Sequence, residues 1–140
     1  MAHGSWLMAH GYNPLMNILI LGGTKFLGRH LVNAALARGH RLTLFHRGNT
    51  LANTPSHDQD AALWAEVEHI HGNRDGGLAA LAGRTWDAAI DTCGYVPRVV
   101  RQSVLVLSEA VQHYTFISSI SVYADTSQPG TREDAPVQQL

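Results

Sequence analysis

The chain has 140 residues, 45% of them hydrophobic, a formal charge of −1 and one cysteine. That length fits one core and excludes two full domains. The near-neutral balance excludes the basic field that draws proteins to nucleic acid or anionic lipid, and a lone Cys93 excludes an internal disulfide or thiol pair. A reducing, cytoplasmic setting is expected, and no apolar run reaches membrane-spanning length.

The leader repeats "MAHG" at residues 1–4 and 8–11 and has neither a basic start nor a continuous apolar core. Residues 1–15 are expected to be a disordered N-terminal extension, with one domain over 16–140. "NILIL" (17–21) is glycine-bounded and short, as a strand buried on both faces would be. "TKFLGRHLVNAALARG" then carries Leu27, Leu31, Ala34 and Ala35 at helical spacing, with Thr24 as expected N-cap and Gly39 as stop.

"RLTLF" is a second strand, followed by a polar loop with Pro55 and a short helix near its end. "VEHIHG" is a third strand, "GGLAALAG" a short helix and "WDAAIDTCG" a fourth strand. "VPRVVRQSVLVLSEAVQ" places Pro97 in a first turn and Val100, Val104, Leu107 and Val111 on one face. "HYTFISS" is the fifth strand. Alternating strands and helices predict an α/β fold, a doubly wound parallel sheet of Rossmann-like type with helices on both faces. The polar end after Ser121 has no further periodic element, so the sheet is expected to be truncated after about five strands and the domain to be C-terminally incomplete.

The first strand enters its helix through Gly22, Gly23 and Gly28. A helix N-terminus offers unpaired N–H groups and partial positive charge, and small residues let the backbone approach a pyrophosphate. His69 and His71 share a strand face, but no third ligand follows at a telling spacing, so no metal site is expected.

"LGGTKFLG", the strand ending in "FHRG", "HGNRD", "WDAAIDTCG" and "FISSISVYAD…EDAP" together resemble the N-terminal half of an extended or atypical short-chain dehydrogenase/reductase of the NAD-dependent epimerase/dehydratase group. The resemblance runs from about Met16 to the end. It implies that the cofactor turn spans Leu21 to Gly28, giving Gly22, Gly23, Thr24, Lys25, Phe26, Leu27 and Gly28 as cofactor-binding residues. Lys25 stands in place of the middle glycine, its side chain pointing away from the pyrophosphate or reaching over it. At the end of strand two, NAD-preferring members carry an aspartate. Here His46 and Arg47 stand instead, and a guanidinium that can grip a 2′-phosphate makes NADP the expected preference over NAD.

The resemblance also places Asn73 near adenine, with Gly72 and Asp75 beside it. Thr92, Cys93 and Gly94 fall on the ribose and nicotinamide side. Cys93 is expected to be a small buried thiol and not a nucleophile. Ser119 corresponds to the family's catalytic hydroxyl. No YxxxK acid/base pair occurs in the 140 residues, so whether the chain is an enzyme stays open; the pair would lie downstream of "EDAP".

Two functions follow as expectations. One is the NAD(P)-binding portion of an epimerase, dehydratase or reductase, an oxidoreductase-type protein whose small-molecule substrate could be a nucleotide sugar. The other is a non-catalytic dinucleotide-binding regulator or RNA-associated relative. Membrane and nucleic acid are not expected partners, and self-association through an exposed sheet edge is.

Overall fold

A computed structural model describes residues 15–49, 64–127 and 129–139. The N-terminal extension and most of the loop after the second strand lie outside the described residues. Five strands form one parallel sheet: β1 (Asn17–Leu21), β2 (Arg41–His46), β3 (Glu68–His71), β4 (Trp86–Asp91) and β5 (Val111–Phe116). Two helices lie wholly within the described residues, α1 (Phe26–Leu36) and α2 (Pro97–Leu107), and residues 64–65 are also helical. Short 3-10 helices cover Leu78–Leu81 and Ile120–Val122, so "GGLAALAG" does hold the short helix expected there, of the tighter 3-10 kind.

The strand order is β3-β2-β1-β4-β5, every pair parallel. β1 is central because both of its faces are apolar. Ile18 and Ile20 join Val32, Leu42, Leu44, Trp64 and Val67 on one face. Leu19 and Leu21 join Phe45, Leu78, Leu81, Trp86, Ala89 and Leu107 on the other. Val32 lies on α1 and Leu107 on α2, so the two helices cover opposite faces. Chain connections diverge between β1 and β4, and the loops following these strands border a crevice at the C-terminal edge of the sheet.

Several local expectations are corrected. Lys25, not Thr24, is the N-cap of α1, and no side chain caps that helix. Its buried residues are Gly28 and Val32, with Leu31, Ala35 and Leu36 packed around them, whereas Leu27 and Ala34 are exposed. Gly39 does close the helix, its N–H donating to the Leu36 carbonyl. On α2 the inward positions are Ser103 and Leu107. Val104 faces solvent while the inward Ser103 accepts from a buried arginine, and Val111 lies past the helix end, in β5.

Candidate functional site

A cleft of about 540 Å³ opens at the C-terminal ends of β1, β2, β3 and β4. It is lined by Gly22 to Gly28, by Phe45, His46, Arg47 and Asn49, by Gly72 to Asp75, and by Thr92, Cys93, Tyr95, Val96 and Val99. Of the residues singled out in the sequence, the turn, His46, Arg47, Asn73, Thr92 and Cys93 therefore meet around one space. Gly94 lies beside it, packed against Phe116 and Val100, and Ser119 is exposed and does not line it.

The turn is built by close contact. Gly22 and Gly23 adopt φ +97 and +86, and a Cβ on Gly22 would stand 2.6 Å from the Thr92 hydroxyl. A Cβ on Gly28 would meet the Cα of Gly23 at 2.7 Å, so the first turn of α1 sits directly on the glycine loop. Lys25 takes an extended backbone, φ −137, and the left-handed conformation falls on Phe26, φ 41. Phe26 has a Cβ, so this is a strained position of the kind found where a loop is shaped for a ligand. N–H groups in the first turn of a helix have no carbonyl within it to pair with. With no side chain capping α1 either, its N-terminus suits a pyrophosphate.

The charges around the cleft are unequal in their freedom. Arg74 is nearly buried and paired with Asp91, a carboxylate with no exposed surface. Arg74 Nη1 donates to Asp91 Oδ1 at 2.6 Å, its Nη2 donates to Oδ2, and its Nε donates to the Ser103 hydroxyl at 2.9 Å. Asp91 also accepts from the Tyr114 hydroxyl at 2.6 Å and from the Cys93 N–H at 3.1 Å. Burial, then Asp91, push the Tyr114 phenol well above its ordinary range, and burial raises the Cys93 thiol. Cys93 is thus an un-ionised thiol, unsuited to nucleophilic work.

Asp75 and Arg98 form an exposed bidentate pair, both contacts 2.7 Å, that joins the loop after β3 to the start of α2. The Arg98 guanidinium holds the Asp75 carboxyl below its usual range. Among the described residues, Lys25 and Arg47 line the cleft without a salt bridge.

His46 is more enclosed than a ribose contact would require. Its Nδ1 accepts from the Gly48 N–H at 3.0 Å, which puts its proton on Nε2, 2.8 Å from His69 Nδ1. Both nitrogens are committed within the protein. Burial first, then the His69 and His71 rings, hold its pKa down to about 4, so the ring is neutral. No group of metal-holding residues is present among the described residues. The Asn73 side-chain oxygen accepts from the Asp75 N–H at 3.1 Å, leaving its amide NH₂ for a ligand.

Arg74, Asp91 and Tyr114 did not stand out in the sequence. One signal was available: a carboxylate ending the apolar strand "WDAAID" must find a cation or hydrogen-bond donors once buried.

A parallel sheet ordered 3-2-1-4-5, with a glycine turn entering a helix beside the switch point, defines a dinucleotide-binding protein of the Rossmann class. The NAD dependent epimerase/dehydratase family matches residues 18–140, and the chain belongs to that family. The part present is the nicotinamide-dinucleotide-binding part of the fold.

The chain is 32% identical over 126 residues to the chloroplast stem-loop binding protein of 41 kDa b of Arabidopsis thaliana, covering 84% of this chain and 33% of that protein. It is 57% identical over 30 residues to the bifunctional pinoresinol-lariciresinol reductase of Forsythia intermedia, covering 21% of this chain and 10% of that protein. Among solved structures, a UDP-galactose 4-epimerase matches with TM-score 0.70 and 17% identity, over 88% of this chain and 45% of the other. The Bordetella bronchiseptica enzyme WbmG in complex with NAD matches with TM-score 0.71 and 18% identity, over 94% and 46%. The chain thus spans about a third of the first relative and under half of these structures. No helix among the described residues is long and apolar enough to cross a membrane.

Proposed function

We propose that the cleft binds NADP in preference to NAD and serves a hydride-transferring epimerase, dehydratase or reductase of which residues 16–140 are the nucleotide-binding domain. The observation that carries the reading is the pairing pattern: Arg74 is consumed by Asp91, whereas Arg47, at the end of β2, lines the cleft outside any salt bridge among the described residues. Among the described residues no carboxylate stands at the end of β2 to bind a ribose 2′-hydroxyl or repel a 2′-phosphate. Lys25, exposed in the turn that would hold the pyrophosphate, lines the cleft and supplies a positive charge to it. Asn73 serves adenine, and Thr92, Cys93 and Gly94 pack toward the nicotinamide half. Ser119 accepts from Ser121 N–H at 3.3 Å and from its hydroxyl at 3.0 Å, which leaves its own proton to polarise a substrate oxygen.

Titration calorimetry with NADPH and NADH tests the preference. NADPH is expected to bind at least about tenfold more tightly, and Arg47→Ala to erase most of that difference, the scale of one charge-assisted bidentate contact. A wild-type preference for NADH would overturn it.

The substrate, by the family's chemistry, is a small molecule such as a nucleotide sugar, and the setting is the reducing cytoplasm that suits one unpaired thiol. Among the described residues β5 pairs with β4 on one side only and offers a sheet edge for self-association. A second reading is a non-catalytic dinucleotide-binding regulator or RNA-associated protein, favoured by the stem-loop binding protein among its relatives. Mobility shift of a stem-loop RNA, with and without NADPH, separates the two. The net charge of −1 weighs against a tight RNA complex.

A further inference from the structure

We propose that Arg74 is a positioning residue, a brace that ties the loop after β3 to the loop after β4 and so sets the shape of the cleft floor. β3 and β4 are not neighbours, since β2 and β1 lie between them. At about 4.8 Å per strand their ends are about 14 Å apart, too far for backbone pairing to hold the loops together.

Arg74 closes that gap with one side chain. Its fork grips Asp91 at the end of β4, its Nε reaches Ser103 on α2, and its Nη1 lies 3.5 Å from the Cys93 sulfur. Asp91 in turn holds the Cys93 N–H and, through Tyr114, β5. The residues on either side of Arg74, Asn73 and Asp75, line the cleft, as do Thr92 and Cys93 beyond Asp91. Shifting the guanidinium therefore shifts both walls. With its charge met by Asp91, Arg74 is not a phosphate ligand. A lysine could not replace it, having no planar fork to engage both carboxylate oxygens.

The effect on binding rests on the reading that the cleft takes a dinucleotide; the brace itself does not. Cys93 is the chain's one cysteine, so its rate of modification by a disulfide reagent reports the brace without any ligand. The comparison sets Arg74→Met beside Val67→Ala, a core variant just before β3 and away from the cleft, both measured below their melting temperatures.

Compared at equal thiolate fraction, taken from each variant's pH–rate profile because Arg74 also favours the Cys93 thiolate directly, Arg74→Met is expected to raise the Cys93 rate about tenfold by opening access to the thiol. It should also weaken NADPH binding about fivefold or more through lost preorganisation. Added guanidinium should partly reverse both effects, and Val67→Ala should show neither. A folded Arg74→Met with the wild-type rate per thiolate overturns the proposal. Should that variant fail to fold, Ser103→Ala removes only the Nε acceptor, and a rate about two- to threefold higher supports the brace while an unchanged rate overturns it. If the rate rises in Arg74→Met but NADPH fails to protect Cys93 in the wild type, the brace stands and the dinucleotide reading falls.

Discussion

His46 shows how a residue at a recognition position can be occupied with holding the position itself. Its two nitrogens bind Gly48 and His69, and the His71 ring packs on it edge-on with centroids 4.9 Å apart. The consequence is a pH dependence of stability. A ring held near pKa 4 in the fold but near 6.5 in the unfolded chain takes up its proton first when unfolded. Between those values the unfolded state binds more protons, so stability is fully present above pH 6.5 and falls as pH drops toward 4. His69, also lowered chiefly by burial, acts in the same direction. Thermal melts across that window should show a falling Tm, with a shallower slope in His46→Gln. An identical slope in the variant would place the effect elsewhere.

The same residue scale shows what could be read from the sequence and what could not. Arg47 and the turn glycines announced themselves because a place at the end of a strand or the start of a helix can be read along the chain, and all of them border the cleft. Arg74 sat unremarked between Asn73 and Asp75, because its partner is 17 residues away and is brought near only by the sheet order. Ser119, singled out by family position, sits outside the cleft, its hydroxyl oxygen accepting from the Ser121 N–H and hydroxyl and its carbonyl from the Val122 N–H.

At the level of elements, α1 is placed by the absence of a side chain. Gly28→Ala would drive a methyl into the backbone of Gly23, and backbone cannot swing aside as a flexible side chain can. The helix start would be pushed off the turn, at a cost of about 1–3 kcal/mol in stability. The first-turn N–H groups would move with it, weakening NADPH binding by about tenfold or more. Urea denaturation and calorimetry on the same variant check both. Loss of stability with unchanged affinity would mean that the turn does not hold the phosphates.

Strand placement was legible because glycines and polar clusters bracket each apolar run. The inner face of α2 was not: its apolar residues outnumber the inward positions, and the inward Ser103 accepts from the buried Arg74 while Val104 faces solvent. Thr24 was a chemically sound cap, but the helix begins one residue later, at a lysine whose side chain makes no cap.

On the scale of the whole molecule, parallel topology followed from the alternation of strands and helices, since each parallel pair needs a crossover. Two apolar faces on β1 then require a layer on either side. The cleft is a product of that order: loops from β1, β2, β3 and β4 gather at one edge, and residues up to 77 positions apart in the chain, from Gly22 to Val99, border one space. Hydrogen exchange of the chain with and without saturating NADPH tests this arrangement most directly. Slowed exchange is expected in the glycine turn at 22–28, at 46–49, at 72–75 and at 92–96, with little change in β5. An exchange pattern unmoved by NADPH, or protection confined to β5 and the outer face of α2, would contradict a dinucleotide in this cleft.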